Sequence, residues 1–174
     1  MRWKKRSDLF CSAGLSRFLA GDLRVLAAVV FLCAPLAWGQ SAHVVSVEAA
    51  PGLRARRGAE VEIPLRVMIR SGYHINSNTP AEDYLIPTVL TWTSGPLTAR
   101  SVTYPKAESV KYEFSEKPML VYSGAVSIVS RFAVAADAPR GETRLTGKLR
   151  YQACTDKMCL APRTLDVSVP VTVE

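Results

Sequence analysis

The residues of this sequence that are best suited to chemistry are Cys154 and Cys159, which are five positions apart in the segment YQACTDKMCLAP. Two cysteines on one short loop can form a disulfide if their Cα atoms come within about 4.4–6.8 Å. Closing so small a loop stabilises a fold by only about 2 kcal/mol. The spacing alone leaves three interpretations open: a local structural disulfide, a redox-active pair and a metal site.

Redox exchange requires a thiolate that can reach a partner disulfide, and a second thiol that can resolve the mixed disulfide. Two cysteines on one loop meet the second requirement directly. The charges beside the cysteines do not decide whether a thiolate forms, because Lys157 favours a thiolate and Asp156 opposes it.

A metal site would need further ligands. Met158 and Met119 could join the two thiolates around a soft ion such as Cu(I). The two histidines, His43 and His74, are far from the cysteines in sequence and have no ligand spacing, so we expect them to be ordinary surface or strand residues. We predict neither a metal nor a cofactor.

The N-terminus has the pattern of a secretory signal peptide. Six basic residues lie in the first 24 positions, an apolar run follows over residues 25–38, and Ala37 and Gly39 place small residues before a cut after Gly39. An uncleaved membrane anchor is the alternative. It is less favoured because Pro35 and Gln40 shorten the apolar part to about 14 residues, fewer than a bilayer requires.

Removing residues 1–39 changes what the composition implies. The whole chain has 174 residues and a net charge of +7, but residues 40–174 contain 16 basic and 13 acidic residues. This small excess does not support nucleic-acid binding. Of the four cysteines only Cys154 and Cys159 remain, in a protein predicted to enter an oxidising compartment. The hydrophobic content of 48% excludes a largely disordered chain.

Alternation of apolar and polar residues predicts strands on both sides of the cysteines. It is clearest over residues 61–69, 145–151 and 165–173, with turn residues between the runs. The stretch 119–134 is long enough for a bent strand with a bulge near Gly124. Seven or eight such strands predict one all-β domain over residues 40–174, an antiparallel immunoglobulin-like β-sandwich.

Several motifs make the sequence resemble a known family. They are Gly72-Tyr73-His74-Ile75-Asn76, Tyr112-Glu113-Phe114 followed by Val121-Tyr122, and above all Tyr151-Gln152-Ala153-Cys154 with Cys159-Leu160-Ala161-Pro162. Over residues 61–173 the chain resembles the N-terminal periplasmic domain of the thiol:disulfide interchange protein DsbD. The resemblance implies an immunoglobulin-like domain with a redox loop inserted at one end, located in the periplasm.

The resemblance also implies roles for individual residues. Cys159 would attack the partner's disulfide and Cys154 would resolve the mixed disulfide. Phe114, with Glu113 beside it, would cap the pair, and Tyr73 would border the site. The alternative for Phe114 is a core aromatic between strands, and Tyr73 is equally well interpreted as a packing residue.

The implied function is periplasmic thiol–disulfide interchange, in which electrons pass from a thioredoxin-like donor to exported disulfide proteins. No membrane conduit or thioredoxin-like segment follows Glu174 in this sequence, so we expect a separate membrane electron donor and membrane contact only through the export signal. Asn76 occupies a position where the family suggests an aromatic residue. The alternative is a non-catalytic immunoglobulin-like binding or assembly module with a structural disulfide.

Overall fold

The structure is a computed structural model that describes residues 43–174. The predicted signal peptide and its cleavage site lie outside these residues. Twelve β-strands make up the regular structure of this part of the chain. Within it, no helix has the length and apolar character needed to cross a membrane.

The strands follow one another along the chain with short connections. Their bounds are β1 Val45–Ala49, β2 Leu53–Ala55, β3 Glu60–Ile69, β4 His74–Asn76, β5 Val89–Trp92, β6 Leu97–Thr103, β7 Glu108–Val110, β8 Met119–Ser123, β9 Ala125–Val134, β10 Gly141–Tyr151, β11 Ala153–Cys154 and β12 Arg163–Val173.

Two four-stranded sheets form the body of the domain, in the orders β1-β3-β9-β6 and β2-β12-β10-β5. Their inward-facing side chains alternate along β3, β10 and β12 as the sequence predicts, and they share one core that includes Ile63, Leu65, Leu149 and Val169. All pairings within these sheets are antiparallel except that of β2 with β12, which is parallel. The predicted all-β, immunoglobulin-like sandwich is confirmed.

A third sheet, in the order β11-β4-β8-β7, contains the cysteine loop. It is continuous with the sandwich, because only Gln152 separates β10 from β11 and only Gly124 separates β8 from β9. Gly124 has φ 64°, a left-handed conformation that favours glycine. The irregularity predicted at this glycine is therefore where the chain passes from one sheet to another.

The small sheet has an apolar cluster of its own, made of Leu85, Met119 and Val121, with Val110 and Tyr112 packed against it. Several of the strands here have only two or three residues. This explains why the structure has twelve strands where the sequence predicts seven or eight: strands this short contain too few residues to show alternation.

Gly147 in β10 is predicted to be intolerant of any side chain. It lies directly opposite Trp92, and an added Cβ would be 2.5 Å from the Thr91 carbonyl oxygen and 2.8 Å from the Trp92 ring. We expect Gly147→Ala to lower the free energy of unfolding by about 1–3 kcal/mol, the usual cost of overpacking. Denaturant unfolding measures this. Gly95→Ala is the control, because its Cβ would meet nothing within 4 Å; equal midpoints for the two variants would contradict the prediction.

Candidate redox site

Cys154 and Cys159 face each other across a tight hairpin and are joined by a disulfide with an S–S distance of 2.00 Å. Their Cα atoms are 3.9 Å apart, slightly less than the range expected from the sequence. Backbone hydrogen bonds lie on both sides of the pair: Thr155 N–H donates to the Met158 carbonyl at 2.8 Å, and Leu160 N–H donates to the Ala153 carbonyl at 2.8 Å. The Thr155 hydroxyl oxygen accepts from Lys157 N–H and Met158 N–H and so closes the turn.

The two cysteines differ in exposure. Cys154 lies in β11 and is 0% exposed, whereas Cys159 lies on the outer arm of the hairpin and is partly exposed. An incoming thiolate or disulfide can therefore reach Cys159 but not Cys154. The geometry thus leaves one sulfur accessible from outside the domain and encloses the other within it.

A cavity of about 230 Å³ opens beside Cys159. Its walls come from three segments of the chain and are mostly apolar, with Gln152 and Ser115 as polar groups. The lining residues are Tyr84, Leu85, Phe114, Ser115, Met119, Gln152 and Cys159. The exposed cysteine therefore borders a concave surface that is large enough to receive a side chain from another molecule.

Phe114 lies in the turn after β7 and lines this cavity together with Cys159. Its side chain is 41% exposed, so the interpretation of Phe114 as a core aromatic is wrong. The ring stacks on Tyr112 at 5.7 Å. The turn is held by Ser115 N–H, which donates to the Tyr112 carbonyl at 3.2 Å, and by the Lys111 ammonium, which donates to the Ser115 carbonyl. Glu113 is exposed beside it and does not line the cavity.

Gln152 connects the segments that surround the disulfide. Its Oε1 accepts from Asn76 Nδ2 at 3.2 Å and from Ile86 N–H at 3.4 Å, while its Nε2 donates to the Leu160 carbonyl at 3.1 Å. One side-chain amide thus joins the outer arm of the hairpin, the central strand β4 and the segment that leads to β5. Asn76, in the position where the family suggests an aromatic residue, is 0% exposed and belongs to this network.

Tyr73 and its neighbour His74 lie differently with respect to the cysteine pair. Tyr73 is half-buried and packs against the main core, and it does not line the cavity beside Cys159. His74 is instead the residue paired with Cys154 in the β4–β11 ladder. It is a strand residue, as expected, but it is only 4% exposed and adjoins the cysteines from which it is distant in sequence.

His74 has an unusual environment. Its imidazole stacks on Tyr112 with ring centroids 4.2 Å apart. Its Nε2 is buried, and within the part of the chain that the structure describes it has no hydrogen-bond partner. Burial lowers the pKa of His74 below its ordinary value near 6.5, and the charge of Asp156 opposes this shift. Burial also raises the pKa of Tyr112, and the charge of Glu108 adds to that shift.

Residues 43–174 contain no cluster of three or more His, Cys, Asp and Glu side chains that could hold a metal ion. Of the two methionines considered as soft ligands, Met119 lines the cavity with Cys159, and Met158 is exposed on the hairpin turn.

Comparison with known proteins identifies the family. Residues 41–170 match the family described as thiol:disulfide interchange protein DsbD, N-terminal. The chain belongs to this family. The resemblance drawn from the cysteine motif is confirmed, and the chain is a domain of the thiol–disulfide interchange class. No curated protein matches the sequence.

Two solved structures are similar to this DsbD N-terminal domain at low sequence identity. The N-terminal periplasmic domain of ScsB from Proteus mirabilis is 16% identical, with a TM-score of 0.47 over 74% of this chain and 45% of that one. A cohesin–dockerin complex from Clostridium thermocellum is 13% identical, with a TM-score of 0.43 over 76% of this chain and 100% of the matched one. The chain thus spans less than half the length of the ScsB chain.

Removing the Gln152 amide is predicted to weaken the site. Gln152→Ala takes three hydrogen bonds from a partly buried network, and we expect the free energy of unfolding of the oxidised domain to fall by about 1–3 kcal/mol. Denaturant unfolding with the disulfide intact measures this. Lys157→Ala, an exposed position on the same hairpin, should leave the midpoint almost unchanged. A Gln152→Ala midpoint equal to that of the wild type would show that the network carries no stability.

Proposed function

We propose that this domain is a periplasmic thiol–disulfide interchange protein in which the Cys154–Cys159 pair relays electrons from a thioredoxin-fold donor to exported disulfide proteins. The observation that carries the proposal is the unequal exposure of the two sulfurs. Cys159 is partly exposed beside an apolar cavity, while Cys154 is fully buried behind it. A purely structural disulfide has no need of this arrangement.

The relay balances two electrons and two protons. A donor thiolate attacks Cys159, the Cys154–Cys159 bond breaks, and the donor's second thiol releases the reduced pair as the donor becomes a disulfide. The Cys159 thiolate then attacks a disulfide of the exported protein and forms a mixed disulfide. Cys154 attacks Cys159, the internal bond forms again, and the exported protein leaves as a dithiol.

Phe114 is proposed to cap this site. It lines the same cavity as Cys159, on a turn whose position depends on an exposed ion pair between Lys117 and Glu82 and on hydrogen bonds from Lys111. Exposed ion pairs contribute little stability. A turn held in this way can move aside at low cost when a partner approaches Cys159. Glu113, exposed on the same turn, would then face the partner.

A partner surface is proposed around the cap. The three large hydrophobic side chains that are exposed within residues 43–174 are Tyr84 (73%), Phe114 (41%) and Met158 (60%). Tyr84 and Phe114 line the cavity with Cys159, and Met158 precedes Cys159 in the chain. Exposed apolar side chains gathered at one place are typical of interaction sites. Their position indicates a partner that covers the disulfide itself.

The first prediction from this proposal concerns trapping. In reduced Cys154→Ala, Cys159 can attack an oxidised thioredoxin-fold protein but no resolving thiol remains, so we expect a covalent adduct to accumulate. Non-reducing electrophoresis and mass spectrometry of mixtures with a purified thioredoxin, and with periplasmic extract, measure it. Cys159→Ala is the matched control. It keeps only the buried thiol and should form little adduct.

Failure of Cys154→Ala to form an adduct with any thioredoxin-fold protein would contradict the relay. The alternative, a binding module with a structural disulfide, would then be favoured. Under that alternative the double variant Cys154→Ser/Cys159→Ser would keep its partners, and the pair would have a reduction potential below about −300 mV, as structural disulfides typically do.

The second prediction concerns the apolar surface. When Tyr84→Ala is added to the Cys154→Ala variant, adduct formation should slow about tenfold, which corresponds to about 1.4 kcal/mol. The reason is that Tyr84 is the most exposed apolar side chain at the cavity. Rates of adduct formation with thioredoxin measure this. Arg144→Ala is the control, since Arg144 lies about 23 Å along β10 from Tyr151. Equal rates for Tyr84→Ala and Arg144→Ala would exclude this surface from docking.

A further inference from the structure

His74 is buried beside the cysteine pair and has no role in the proposed relay so far. It is a titratable side chain, 4% exposed, whose Nε2 lies in the interior and has no hydrogen-bond partner among residues 43–174. Buried polar atoms are rarely left unpaired, because each costs the free energy of its lost hydration. An unpaired nitrogen at this position therefore requires an explanation.

The place of His74 in the sheet suggests one. His74 and Cys154 are directly opposite each other in the antiparallel pair of β4 and β11, so their side chains project from the same face. Opposite residues in such a pair have Cβ atoms about 4.5–5.5 Å apart. In the oxidised domain Cys154 has no proton to donate. In the reduced domain it carries a thiol proton, and the strand register places this thiol beside His74.

Cys154 needs such a neighbour for its part in the exchange. A thiol must lose its proton before it can attack a disulfide, and burial in apolar surroundings raises the pKa of a thiol. Cys154 is 0% exposed, so bulk water cannot take the proton directly. The exposed Cys159 does not have this difficulty.

Resting on the relay function proposed above, we propose that His74 is the base that accepts the Cys154 proton when Cys154 attacks the mixed disulfide at Cys159. The Cys154 sulfur forms a bond to Cys159, the bond from Cys159 to the partner breaks, and the partner sulfur leaves as a thiolate. The proton passes to Nε2 and then to solvent. When a donor next reduces the disulfide, His74 returns a proton to Cys154.

The groups around His74 suit this role. Tyr112 stacks on the imidazole, Ser123 lies opposite His74 on β8 and donates a hydrogen bond to Glu108, and Asp156 acts from the hairpin turn. Burial lowers the pKa of His74 and so favours the neutral imidazole, which is the form that can accept a proton. The Asp156 carboxylate stabilises the imidazolium that forms when the proton arrives.

The test follows ring closure with a small aromatic disulfide, dithiobis(nitrobenzoate). The reduced domain releases one coloured thiolate when Cys159 attacks, and a second when Cys154 displaces the adduct. We expect His74→Phe, which keeps an aromatic ring against Tyr112, to slow the second release on the order of 100-fold at pH 7. The first release should stay within about twofold of the wild-type rate, because no proton transfer to His74 precedes it.

The pH profile separates proton transfer from mere packing. In the wild type the second release should be nearly independent of pH above 7. In His74→Phe it should rise about tenfold per pH unit, because the rate then follows the fraction of Cys154 that is spontaneously ionised. His43→Phe, the same substitution at the other histidine, should behave as the wild type. His74→Gln, which retains a polar side chain, provides the same measurement if His74→Phe does not fold.

The outcomes distinguish this inference from the relay itself. A second release in His74→Phe or His74→Gln with the wild-type rate and pH profile would overturn the role of His74 and leave the relay untouched. A wild-type domain that releases only one thiolate would show that Cys154 does not resolve adducts, and the proposed function would fail with it.

Discussion

The side-chain amide of Gln152 is the interaction on which the geometry of the site depends. Gln152 is the single residue between β10 of the sandwich and β11 of the small sheet. Its amide forms hydrogen bonds with Asn76, Ile86 and Leu160. Asn76 and Ile86 are 76 and 66 positions from Gln152 in the sequence, whereas Leu160 is eight positions away on the hairpin. Gln152 is itself fixed by the long strand β10 that precedes it. Its hydrogen bonds therefore hold the hairpin, the central strand β4 and one wall of the cavity in place relative to the sandwich.

The sequence predicts the body of this domain better than its site. The runs around Val67, Leu149 and Val169 alternate over seven or more residues, and they form β3, β10 and β12. The cysteine motif indicates the family directly. His74 could not be placed in the same way, because β4 has three residues, too few to show a period, and its pairing with β11 joins positions far apart in the chain. Asn76 and Gln152, which are 76 positions apart, meet for the same reason. Such contacts arise from the pairing of distant strands, which a local sequence pattern cannot predict.

The disulfide itself contributes little to the stability of the fold. It encloses only a hairpin turn, and a loop of this length gains little from closure. The sandwich has a core of its own that spans both large sheets, with Ile63, Phe132 and Leu149 fully buried. A domain that does not depend on its disulfide for folding can pass repeatedly between oxidised and reduced forms. This independence fits the thiol–disulfide interchange family better than it fits a protein that uses the bond as a staple.

The hairpin hydrogen bonds on either side of the cysteines have a kinetic consequence. Thr155 N–H and Leu160 N–H bond to backbone carbonyls, so neither bond involves sulfur. The two thiols of the reduced hairpin therefore have a high effective concentration toward each other, as reacting groups on a preorganised backbone do. Under the proposed relay, any intermediate on Cys159 would face an intramolecular competitor from the moment it forms. The lifetime of the mixed disulfide would then be limited by Cys154 and by the residues around it, and not by the partner's affinity alone.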